Sequence, residues 1–106
     1  MPVVRGLTLI VATGDSERFR AALTIASAHA ALGGRTRVYC HEAAVALLAD
    51  REPLLATAIE TGAAIIACQT GLALAGLAET DLLRGVETGG LIGLLADLGD
   101  DRLDTV

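Results

Sequence analysis

Short apolar runs alternate with longer amphipathic segments along the whole chain. Residues 7–12 (LTLIVA) are almost continuously hydrophobic, the pattern of a parallel strand covered on both faces. Thr13 and Gly14 end that run, Asp15 or Ser16 caps the helix that follows, Glu17 sits in its first turn, and Gly33 and Gly34 close it after Leu32. Phe19, Ala22, Leu23, Ala26 and Ala30 recur at helical spacing and predict its buried face. Residues 36–40 read as a second strand leading into an apolar helical stretch at 43–49, and Pro53 at a first helical position opens another helix that stops at Gly62. Residues 63–67 (AAIIA) are the third strand and 71–78 a short alanine- and leucine-rich helix, with Asp81 capping one more turn before Gly85. A brief strand at 86–88, a helix at 91–98 after Gly89-Gly90, and a strand at 102–106 complete the pattern. This alternation predicts an α/β fold, a three-layer α/β/α sandwich on a five-stranded parallel sheet with right-handed crossovers. At 106 residues the chain has room for one core, so a single domain spanning 1–106 is expected. Strand order is not legible at this level.

Composition changes the picture in two ways. Hydrophobic residues make up 53% of the chain and aromatic residues only 2%, so the core is expected to rest on Ala, Leu, Val and Ile. A mean hydropathy of +0.58 in so short a chain predicts more apolar surface than one protomer hides, hence a homo-oligomer. The formal charge of −5 and the lack of basic runs argue against nucleic acid as a partner. The weakly polar stretch at 63–78 is broken by Gln69, Thr70 and two glycines and is too short to span a membrane. The first apolar run is too short for a signal sequence. Cys40 and Cys68 therefore read as thiols in a reducing, cytoplasmic setting.

Ligands of open parallel sheets gather beyond the carboxyl ends of the strands, where three segments carry polar or reactive groups: Thr13-Gly14-Asp15, Cys40-His41-Glu42 and Cys68-Gln69-Thr70. Cys68 falls between a strand and a helix start, where unpaired N–H groups and the helix dipole favour a thiolate; a small thiol closing a buried strand is the competing reading. His41 either raises the thiolate fraction of Cys68 or is a solvated loop histidine. Cys40 reads as a buried strand-end residue, and a Cys40–Cys68 disulfide stays open until geometry decides it. Adjacent strand residues point to opposite faces, so Cys40 and His41 cannot chelate one ion together, and a zinc site would also need His29 from the middle of a helix; no metal is expected. The Thr13 turn lacks a phosphate-binding glycine motif and bears Asp15 and Glu17, so helix capping explains it. Gly89-Gly90 is either an anion nest or a tight turn.

Residues 62–76 (GAAIIACQTGLALAG), followed by Leu82-Leu83-Arg84-Gly85-Val86-Glu87, resemble the DsrE/DsrF-like (DsrEFH-like) sulfur-relay family. The resemblance extends to the first strand and its turn, the helix ending at Gly33-Gly34, and the closing helix and strand. It implies a Rossmann-like fold with five parallel strands and assembly as trimers or hexamers. It also implies a persulfide on the cysteine after the third strand, which is Cys68 here, exchanged with sulfur donor and acceptor proteins. Gln69, Thr70 and His41 are the candidate substrate-binding residues, and no cofactor is required. Two functions follow: a sulfur carrier or sulfurtransferase subunit acting through Cys68, and a non-catalytic assembly or small-ligand-binding subunit in which Cys68 is structural.

Overall fold

Alternate residues of a strand face opposite sides of a sheet, and this chain uses the two sides differently. In the computed structural model, which describes residues 4–50 and 52–106, five strands form one parallel sheet: β1 (Leu7–Val11), β2 (Thr36–Cys40), β3 (Ala64–Cys68), β4 (Glu87–Gly89) and β5 (Arg102–Thr105). Residues 1–3 and 51 of the expected 1–106 domain lie outside the described part. The strand order is β4-β3-β2-β1-β5. Register pairs Leu9 with Val38, Val38 with Ile65, and Ile66 with Glu87, so Leu7, Leu9, Val11, Val38, Cys40, Ile65 and Ala67 share one face. That face is sealed under α1 (Ser16–Ala31) and α2 (Pro53–Thr61). The other face carries Thr8, Ile10, Arg37, Tyr39, Ile66 and Cys68 and is crossed by the short α4 (Leu91–Ala96).

The start of α1 is fixed by Asp15, whose carboxylate accepts the N–H groups of Glu17 at 2.8 Å and Arg18 at 3.1 Å. Phe19, Ala22, Leu23 and Ala26 are its buried residues, as their spacing predicts. His29 stands in the last turn of α1 and not in its middle: Nε2 faces the carbonyl of Arg5 at 2.8 Å and Nδ1 the Thr36 hydroxyl at 2.6 Å. Because a carbonyl only accepts, Nε2 carries a proton. The helix end is thereby tied to the segment before β1 and to β2. At the end of α2, Gly62 takes φ 113°, a left-handed cap that a side chain would strain.

Several expected boundaries differ. The stretch expected as a helix at 43–49 is a 3-10 helix, Glu42–Ala49, which buries Ala44, Val45, Leu47 and Leu48. The pairs 44/47 and 45/48 are three apart, matching the 3-10 repeat, so tighter winding stacks them on one face. The next helix, α3 (Gln69–Ala75), begins two residues before the expected 71 and stops before 78 because Gly76 turns left-handed at φ 68°. Asp81 starts no new turn; it closes the 3-10 turn Glu79–Asp81 and accepts the Ala78 N–H at 2.8 Å. The core is mainly Ala, Leu, Val and Ile, as composition predicts, and the chain's two aromatic residues, Phe19 and Tyr39, are both buried within it.

Candidate functional site

Cys68 ends β3 and stands at the N-cap of α3, so its sulfur lies at the carboxyl edge of the sheet. Cys40 pairs with Ala67 across the sheet, which places Cys68 one step further along and on the opposite face. This one-residue stagger separates the two thiols although their strands are neighbours, and both are free. A Cys40–Cys68 disulfide is thus corrected to two thiols facing different layers. The residue level with Cys68 is His41, and the residue behind it on the same face is Tyr39.

Around the sulfur lies a cleft of about 190 Å³ lined by Tyr39, His41, Glu42, Gln69, Thr70 and the Gly89-Gly90-Leu91 turn. Cys68 lines this opening and is 6% exposed. Gln69 and Thr70 are exposed at its rim, and His41 is half-buried. The expected segments 40–42 and 68–70 do meet; Thr13-Gly14-Asp15 is not part of the lining, and its residues serve the cap of α1. The end of β4 takes its place. Chain order runs outward from β1 to β4 and then returns across the other face through α4 to β5, so the crossover changes sides next to β3. A crevice is expected where neighbouring strands send their connections to opposite sides.

The electrostatics at the sulfur have opposing parts. Burial acts first and raises the thiol pKa, while the Tyr39 hydroxyl and then the N–H groups of Gly71, Glu42 and Thr70 lower it, leaving Cys68 below its ordinary value. The neutral thiol completes no cap hydrogen bond of its own; these donors favour the thiolate. Cys40 is the contrast: burial alone pushes it up to about 12.

The donors converge because of two backbone features. Glu42 holds φ 40°, a left-handed conformation unusual for a residue with a side chain. Gly71 lets that backbone come close, since a Cβ there would meet Val45 Cγ2 at 2.5 Å and the Glu42 carbonyl at 3.0 Å. The His41 ring stacks near Tyr39, with centroids 6.3 Å apart and planes inclined at 29°. Its Nε2 is 3.7 Å from the Glu42 carboxylate, and its buried Nδ1 has no hydrogen-bond partner among the described residues.

Tyr39, the Glu42 amide and Gly71 are not singled out by the sequence, whereas Gly89-Gly90, expected as an anion nest or a tight turn, lines the cleft. Tyr39 is two residues before His41 and so shares its face, but only the pairing of β2 with β3 brings that face to Cys68. A wider cavity of about 320 Å³ continues along the same face from Gly89-Gly90 to Arg37. That guanidinium is engaged with Thr8, Leu94, Asp97 and Asp101. Among the described residues, no cluster of His, Cys, Asp and Glu is placed to hold a metal ion, and no helix is long and apolar enough to cross a membrane.

Comparison with protein-family models and with curated protein sequences finds no match. Among solved structures, the protein of unknown function MTH1491 from Methanobacterium thermoautotrophicum aligns with a TM-score of 0.83 at 18% identity, over 96% of this chain and 99% of its own. The ychN protein from E. coli aligns with a TM-score of 0.75 at 20% identity, over 95% of this chain and 99% of its own. The fold is shared. At such identities the likeness concerns the three-layer α/β architecture and its five parallel strands, and it spans nearly the whole of each chain.

Proposed function

We propose that the chain is a DsrE/DsrF-like sulfur carrier or sulfurtransferase subunit in which Cys68 bears a persulfide. The observation that carries this reading is the environment of Cys68: a thiol in an open cleft whose pKa is lowered, against burial, by a hydroxyl and three backbone amides. The motif at 62–76 and the fold shared with MTH1491 and the ychN protein support it. In the transfer step the Cys68 thiolate attacks the terminal sulfur of a donor persulfide, R–S–SH. One S–S bond forms as the other breaks, and the electron pair leaves with R–S⁻, giving Cys68–S–SH without net oxidation. Passing the sulfur to an acceptor thiolate is the same exchange in reverse. Gln69 and Thr70 at the rim, and His41 beside them, are the groups we assign to holding the incoming sulfur, and the carrier functions as a homo-oligomer, trimeric or hexameric.

The low exposure of Cys68 favours a second reading, an assembly or small-ligand-binding subunit with a structural thiol. Incubation with a persulfide donor followed by mass analysis separates the two. Wild type and Cys40→Ala are expected to gain one sulfur, and Cys68→Ser none. A Cys68 that alkylates only after unfolding, with no gain of mass, leaves the second reading standing.

A further inference from the structure

We infer that Tyr39 is a positioning residue for the Cys68 sulfur: its hydroxyl, fixed on the neighbouring strand, donates a hydrogen bond to that sulfur and holds it as a thiolate at the cleft. The inference rests on the reading of Cys68 as the sulfur-bearing atom and adds the group that prepares it. Register places Tyr39 opposite Ile66, so Tyr39 and Cys68 lie on the same face of adjacent strands, two residues apart along the sheet. The ring is only 1% exposed and is flanked by His41, which leaves the hydroxyl little freedom to point elsewhere. A buried phenol needs a partner, and the Cys68 sulfur lines the same cleft as Tyr39 on the same face of the sheet.

Burial first, and then the facing Cys68, push the Tyr39 phenol above its ordinary value, so it keeps its proton at any pH where the thiol ionises. It therefore acts as a donor, and donation to an anion is stronger than donation to a neutral thiol. The other titratable groups near the pair are His41 and Glu42 in the cleft and Cys40 on the opposite face. The β4–α4 side contributes Gly89, Gly90 and Leu91, which carry no charge.

Tyr39→Phe keeps the ring and removes only the donor. The midpoint of Cys68 alkylation against pH is expected to rise by about one unit, leaving about tenfold less thiolate at neutral pH, while the rate at high pH, where ionisation is complete, stays as in wild type. Tyr39 is the single tyrosine and the chain has no tryptophan, so intrinsic fluorescence provides a second measurement that needs no change at Tyr39. The tyrosine signal is expected to titrate with the thiol midpoint in wild type and Cys40→Ala, and to lose that step in Cys68→Ala. An unchanged alkylation midpoint in Tyr39→Phe, or a fluorescence step that survives in Cys68→Ala, overturns the inference. If both midpoints behave as expected while wild type gains no sulfur mass, the carrier reading fails and the Tyr39 assignment stands.

Discussion

A few atoms decide the behaviour of each thiol. Cys40 is fully buried, and its pKa of about 12 lies above its ordinary 9.0. The unfolded thiol ionises near pH 9 while the folded one does not, so the protein is expected to lose stability as pH rises from 9 towards 12, by about 1.4 kcal/mol per unit. Below pH 9 the effect vanishes. Urea midpoints measured across this window should fall more steeply in wild type than in Cys40→Ala. Cys68 has the opposite sign: its lowered folded pKa makes a stabilising contribution that is full above the unfolded value and is lost as pH falls through the folded one. Its backbone support is equally specific. At φ 40°, Glu42 carries strain of about 1 kcal/mol that Glu42→Gly relieves, so that variant should melt no lower than wild type and keep the Cys68 alkylation profile, since the amide remains. Gly71→Ala should push the Glu42 backbone away, costing roughly 1–3 kcal/mol and moving the alkylation midpoint upward.

At the level of elements, α4 is held to the sheet by polar contacts as much as by Leu94. Arg37 donates to Thr8 at 3.1 Å and to the Leu94 carbonyl at 3.3 Å, and Asp101 lies 3.7 Å from it and 3.4 Å from Arg35. The side chains of Arg37 and Asp101 are both nearly buried, so Asp101→Ala leaves the guanidinium with the exposed Asp97 as its remaining counter-charge and is expected to cost about 1–3 kcal/mol. Arg37→Met combined with Asp101→Leu should recover much of that loss, a comparison that denaturant titration reads directly. These dependences also show what a linear reading reaches. The first helix was legible because Asp15, the 19/22/23/26 spacing and Gly33 are local signals, and β1 to β3 because apolar runs need no partner to be seen. The 3-10 helix at Glu42–Ala49 was not, because an apolar run without a polar face does not distinguish three residues per turn from 3.6. The contacts of Tyr39, Arg37 and Gly89-Gly90 were also hidden, since strand order and register are set between segments far apart in the chain.

On the scale of the whole molecule, the two faces of the sheet are covered unequally. Two helices seal one face, whereas α4, six residues without a polar side chain, leaves Ile92 88% exposed and Leu95 43%, with Leu103 of β5 also at the surface. Self-association is the expected outcome. Light scattering over a wide concentration range should give a multiple of the protomer mass, and Ile92→Glu should reduce it if this surface is the contact; a stable monomer throughout would contradict the prediction. The stagger between Cys40 and Cys68 has its own consequence at this scale. A thiol within reach could expel a bound sulfur as sulfide and lock the pair as a cystine, discharging the carrier onto itself. With the second sulfur on the far side of the sheet, that internal short circuit is closed, and under the proposed carrier function sulfur taken up at Cys68 would wait for another molecule to collect it.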